Sequence, residues 1–119
     1  LQLMYDINKT VLPDIIFIPN SQDVHQSHQA VHQEGVRVFK NSTILGYELP
    51  WNSIKMNMDV FITLDKTDVM TKQKAINAFK SQFSRAFFEN DILASLAEVR
   101  GKQVNKQYAE CFELIRMVC

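Results

Sequence analysis

Glycine, proline and cysteine are scarce in this sequence, at three, three and two among 119 residues. With so few glycines there is no dinucleotide-binding fingerprint, no phosphate loop and no GxSxG elbow, which leaves nucleotide binding and serine-type nucleophilic catalysis without support. Two cysteines, Cys111 and Cys119, cannot build a disulfide framework. If both lie on one extended terminal segment, they stand roughly 26 Å apart at about 3.3 Å per residue, beyond the ~7 Å reach of a disulfide. Charge of one sign is also missing. Thirteen basic and thirteen acidic side chains cancel, so no global field favours nucleic acid or an anionic membrane. Apolar runs stop at about four or five residues, against the roughly 20 needed for a membrane span, and no signal-peptide pattern opens the chain. A cytoplasmic protein is expected, with a core drawn from 46% hydrophobic residues.

The pattern of what remains is α/β. Leu1, Met4, Tyr5, Val11 and Leu12 have helical spacing, closed by Pro13, which biases Leu12 away from the α region. That helix has no capping residue before it, which implies preceding sequence and a processed or truncated chain. Ile15-Ile16-Phe17-Ile18 is expected to be a parallel strand covered on both faces. A helix from about Val24 to Lys40 follows, then strands at Thr43–Glu48 and Asp59–Leu64. Asp65 and Asp68 form a variant capping box for a helix with the stripe Val69, Ile76, Phe79 and Phe83. Asn90 or Asp91 caps another helix, which Gly101 is expected to end as a left-handed terminator. Tyr108–Val118 reads as a last strand. The group Phe79, Phe83, Phe87 and Phe88 reads as core, without the basic interleaving that binds nucleic acid. With no repeats or linkers, residues 1–119 are taken as a single domain.

All three histidines fall in one short stretch, Asp23-Val24-His25-Gln26-Ser27-His28-Gln29-Ala30-Val31-His32. This stretch follows the first strand, and the carboxyl ends of parallel strands are where open α/β sheets place ligands. His25 and His28 share one side of a helix start with Asp23 close by, so they can divide the roles of metal ligand and proton donor. The same two residues also fit an ordinary polar helix N-terminus. His32, one turn on, is expected to leave the site. Glu48, flanked by Tyr47 and Trp51 at a strand exit, suits contact with a hydroxylated ligand such as a sugar, or a loop partner equally well. Arg100, Tyr108 and Glu110 surround the final connection, where an ion pair is the simpler reading.

The segments Pro13-Asp14-Ile15-Ile16-Phe17 and Asp23-x-His25-x-x-His28 resemble the PIG-L/LmbE family of zinc-dependent N-acetylglucosaminyl deacetylases. Three more agree in order: Thr43–Trp51 (TILGYELPW), Lys74–Gln82 (KAINAFKSQ), and Arg100-Gly101 leading to Tyr108-Ala109-Glu110-Cys111-Phe112-Glu113. The resemblance covers nearly the whole chain but only the C-terminal part of the family. The family's His-Pro-Asp-Asp-Glu signature is absent, and with it two zinc ligands and the general base that the resemblance implies. His28 then matches the third ligand, and His25 the histidine that steadies the oxyanion and protonates the leaving amine. Asp23 stands beside them as a further catalytic candidate. Ser27 occupies the place before the second histidine where the family often has Asp.

The resemblance implies a partial Rossmann-like three-layer sandwich with a mainly parallel sheet. It also implies hydrolysis of an N-acetyl group from an N-acetylglucosamine-type sugar or conjugate, with Zn2+ as cofactor and one of its three protein ligands in this chain. Tyr47, Glu48, Trp51, Arg100, Tyr108 and Glu110 become substrate contacts, and the N-terminal portion of the domain becomes the missing partner. The short chain alone is expected to be inactive, and a homo-oligomer is left open. The rival is a non-catalytic binding module that has lost the metal motif.

Overall fold

The structure is a computed structural model that describes residues 1–79 and 92–119. Among these residues, four helices and four strands follow in the order α1 (Gln2–Val11), β1 (Ile15–Pro19), α2 (Gln26–Val38), β2 (Thr43–Tyr47), β3 (Val60–Leu64), α3 (Lys66–Asn77), α4 (Ile92–Gln103) and β4 (Tyr108–Arg116). The strands form one sheet in the order β1-β2-β4-β3. By its internal packing the chain divides into two units, Leu1–Val60 with Phe112–Cys119, and Phe61–Cys111.

In the first unit, α1 ends on Leu12, which adopts a left-handed conformation (φ 51, ψ 58). Pro13 bars its predecessor from the right-handed helix, so the chain reverses there. β1 pairs in parallel with β2, from Ile15↔Thr43 through Pro19↔Tyr47. α2 lies against β1 closely enough that a Cβ on Gly35 would stand 3.1 Å from a methyl of Ile18. The core is Ile18, Val38, Phe39 and Ile44, with Met4, Ile16, Val36 and Ile115 packed on it. Each such aliphatic side chain contributes about 1.5–3 kcal/mol by leaving water. Arg116 donates to the carbonyls of Val36 at 3.3 Å and Phe39 at 3.2 Å, satisfying the open end of α2.

Two expectations change here. The sheet is mixed and not mainly parallel, because β2 pairs antiparallel with β4 (Leu45↔Leu114, Tyr47↔Phe112), with an irregularity between Ile44 and Leu45. An apolar alternation reads the same in either chain direction, so the pattern of Tyr108–Arg116 carries no orientation. β1 is also not covered on both faces. Ile16 and Ile18 face the helices, whereas Ile15 and Phe17 are 54% and 52% exposed, with the Phe17 ring tilted against Phe112 at 5.3 Å between ring centroids.

In the second unit, β3 is bonded to β4 and α3 packs with α4. Asp65 caps α3, accepting from Asp68 N while the Asp68 carboxylate accepts from Asp65 N. Val69 is buried as expected, but Phe79, just past the helix, is 61% exposed and is not core. Phe83, Phe87, Phe88 and the Asn90/Asp91 cap lie outside the described residues, as does the end of the Lys74–Gln82 segment. Gly101 does not terminate its helix. α4 continues to Gln103, no glycine has positive φ, and Asn105 (φ 58) takes the left-handed turn. Gly101 is needed for close approach, since a Cβ there would fall 2.6 Å from the Gln107 carbonyl oxygen. Cys111 is a buried thiol in β4 and Cys119 an exposed one beyond it. No helix among the described residues is long and apolar enough to cross a membrane.

Candidate functional site

The loop after β1 is held from below by buried polar side chains. Asn20, 1% exposed, donates through Nδ2 to Tyr47 O at 3.0 Å and Ser53 Oγ at 2.9 Å, and its Oδ1 accepts from Gln22 N at 3.0 Å. Glu113 of β4, 6% exposed, accepts from Ser21 N at 2.7 Å, Ser21 Oγ at 2.5 Å and Asn57 Nδ2 at 3.3 Å. A buried carboxylate persists only when so compensated. Gly46 makes room for this arrangement, because a Cβ there would stand 2.7 Å from Asn20 Cα.

On this base the Asp23 side chain is fully buried and turned toward α2. Its Oδ1 accepts from His25 N at 2.8 Å. Its Oδ2 lies 2.9 Å from His28 Nδ1. A carboxylate can only accept, so the geometry assigns the His28 proton to Nδ1 and leaves Nε2 with an open lone pair. A histidine held through one nitrogen by a carboxylate is the usual form of a metal-ligating imidazole.

His25 is the N-cap of α2, and its Nδ1 accepts from Ser27 N at 3.2 Å. That bond places the proton of the neutral ring on Nε2. The two rings stack with centroids 4.4 Å apart. His32 is not idle: its Nδ1 lies 2.7 Å from Pro19 O, so it donates to the end of β1 and ties α2 to the strand.

Tyr47, at the end of β2, is half-buried. Burial, then the nearby Asp23 charge, raises its phenol above the ordinary value of 10.0, so it is a neutral hydroxyl at neutral pH. The turn after β2, with Glu48 and Trp51 half-buried in it, is joined to the histidine segment where Val24 N donates to Asn52 O at 3.2 Å. The first unit therefore gathers Asp23, His25, His28 and Tyr47 and links the Glu48–Trp51 turn to them.

Arg100, Tyr108 and Glu110 belong to the second unit. There Arg100 donates to Gln103 Oε1 at 3.1 Å, and Glu110 is ion-paired with Lys72 at 2.5 Å. Sequence reasoning gave no role to Asn20, Ser21, Gly46, Ser53 or Glu113. The one available signal was a carboxylate inside the apolar run Cys111–Ile115.

Zinc takes three or four protein ligands. Among the described residues no three His, Cys, Asp or Glu side chains are grouped to hold a metal. His28 is of a residue type that could fill one such position.

An α/β sheet with an Asp-oriented histidine at a strand's carboxyl end defines a class of site more than a reaction. No protein-family model and no curated protein matches the sequence. Among solved structures the chain is similar to an N,N'-diacetylchitobiose deacetylase from Pyrococcus horikoshii, solved with its inhibitor MPG, at a TM-score of 0.64 and 22% identity. The match covers 96% of this chain and 49% of that one. The fold is shared, and this chain spans about half the length of that protein.

Proposed function

We propose that this chain is one part of a zinc-dependent N-deacetylase acting on an acetylated amino sugar or sugar conjugate. The observation that carries this reading is the Asp23–His28 pair, at 2.9 Å, at the end of β1 in a fold shared with a chitobiose deacetylase. His28 would hold one place in the metal's donor set, and two further ligands would come from a polypeptide segment outside these 119 residues. When bound, the metal supplies a water that is nucleophilic near neutral pH.

The chain's own groups do the remaining work. Asp23 fixes the His28 ring and tautomer. His25, as the imidazolium and with the Ser27 N bond at Nδ1 given up, would be the donor to the departing amine and return to the neutral ring, a role suited to a protonated imidazole. Tyr47, Glu48 and Trp51 are the substrate contacts of the first unit, and the neutral Tyr47 hydroxyl can both donate to and accept from a sugar hydroxyl. Arg100, Tyr108 and Glu110 are kept as contacts by resemblance, with Glu110 shared with Lys72. The three-layer Rossmann-like sandwich belongs to the completed domain.

The test is acetate release from N,N'-diacetylchitobiose and N-acetylglucosamine by the polypeptide that includes the sequence encoded directly before Leu1. Zinc-dependent release, abolished by His28→Ala, is expected. Zinc binding without release from any acylated sugar would contradict deacetylation. Neither binding nor release would favour the non-catalytic module.

A further inference from the structure

Among the described residues, Glu113 is the buried carboxylate that the proposed chemistry does not use. It lies between Phe112 and Leu114 in β4, opposite Gly46 of β2. Burying a carboxylate costs stability unless donors compensate it, whereas an apolar side chain carries no such cost. Its three donors come from two residues that are themselves exposed, Ser21 and Asn57. Water can serve such donors nearly as well as a protein acceptor. The sheet therefore gains little from this acid. What depends on it is the freedom of the two loops that supply the donors.

Ser21 is held at two atoms, its N at 2.7 Å and its Oγ at 2.5 Å from the Glu113 carboxylate. Backbone and side chain of one loop residue are thus fixed to a strand. The links onward to Asp23 are short. Asn20 O accepts from Asp23 N at 3.3 Å, and Asn20 Oδ1 accepts from Gln22 N at 3.0 Å. Asn20 Nδ2 fastens the same turn to β2 through Tyr47 O. Asp23 therefore leaves a turn clamped at its base by β2 and at Ser21 by β4. Its two oxygens then meet His25 N at 2.8 Å and His28 Nδ1 at 2.9 Å. Such geometry is sensitive, since a misplacement of about 1 Å at a reacting group can cost about 100-fold.

We propose that Glu113 is a positioning residue for the Asp23–His28 pair. By holding Ser21 through N and Oγ it fixes where Asp23 stands, and through Asp23 it fixes where His28 Nε2 points. The use of that aim in binding a metal rests on the deacetylation reading. The aim itself is a property of this chain and is measured without metal or turnover.

The test compares Glu113→Leu, which keeps the volume and removes both acceptors, with Glu113→Gln. The glutamine oxygen still accepts from Ser21 N, and its nitrogen can donate to Ser21 Oγ. Hydrogen exchange of the His28 Nδ1 proton and the His25 amide is followed by NMR in the 119-residue chain, with the core amides of Ile18 and Val38 as references. Glu113→Leu is expected to speed exchange at both site protons about tenfold or more, with the references within about threefold of the parent. Glu113→Gln should restore most of the protection. Unchanged site protons in Glu113→Leu would overturn the proposal. Equal acceleration at the references, the mark of a general loss of stability, would overturn it too. If Glu113→Leu does not fold, Ser21→Ala removes one of the two holds from the exposed side. The same local acceleration, about threefold or more, is then expected, and its absence counts against the proposal. Zinc affinity and acetate release are read on the polypeptide that includes the sequence encoded before Leu1, where Glu113→Leu should weaken zinc binding about tenfold. Local loosening in a parent that binds no zinc keeps the positioning role and fails the deacetylation reading. Zinc affinity and acetate release left intact by Glu113→Leu fail the positioning role alone.

Discussion

Asp23 has two partners on one carboxylate, and each has a consequence. Through Oδ2 it orients His28. In Asp23→Asn the His28 ring loses its charged partner, and zinc affinity of the completed protein is expected to fall about 10- to 100-fold, as when such outer partners are removed elsewhere. Its charge also helps hold the Tyr47 phenol above 10.0. The same variant should bring Tyr47 ionisation down part of the way, since burial, the larger cause, remains. Absorbance of the phenolate against pH reads this directly. The sign for stability follows: a phenol whose folded pKa is raised contributes fully below the unfolded value and loses that contribution as pH rises through the folded one. Gly46 is the other residue with a sharp expectation. Gly46→Ala forces a Cβ to 2.7 Å from Asn20 Cα, a backbone atom that cannot swing aside. A loss of about 1–3 kcal/mol is expected from such overpacking, measured by denaturant unfolding.

At the scale of elements, the legible features were those with a local cause. The Asp65–Asp68 capping box is written in two carboxylates three residues apart, and it forms. The hydrogen bonds Asp65 accepts from Thr67 and Asp68 lower its carboxyl below 3.8. A lowered acid contributes stability above its unfolded pKa and loses it as pH falls through the folded value. Asp65→Ala should therefore lower the melting temperature near neutral pH, and the difference from the parent chain should close as the solution is taken well below pH ~3.8. A difference that persists unchanged in acid would place the effect elsewhere. The illegible features depended on distant partners. Nothing local to Gly101 says that it meets Gln107 instead of ending α4. Nothing in Tyr108–Arg116 says that β4 runs antiparallel to β2. The run Ile15–Ile18 reads as covered on both faces, whereas Ile15 and Phe17 are half-exposed.

At the scale of the whole molecule, the histidine cluster was visible in the sequence, but its internal order was not. Spacing alone left His25 and His28 interchangeable. The structure separates them, with His28 held by Asp23 and His25 spent at Nδ1 on the cap of α2. It also turns His32 from a bystander into a tie between α2 and β1. The supporting layer of Asn20, Ser21 and Glu113 escaped notice because Ser21 and Glu113 are 92 residues apart and join only when β4 reaches the sheet. Family resemblance supplied the chemistry; the comparison with a solved deacetylase supplies a shared fold.

The central claim is that these residues hold one ligand of a larger metal site. Zinc binding by the 119-residue chain, followed by calorimetry with acetate release measured in parallel, tests it most directly. Weak binding that is lost in His28→Ala, with no acetate released, is the result the account predicts. Tight binding of one zinc per chain with turnover of an acetylated sugar would contradict it.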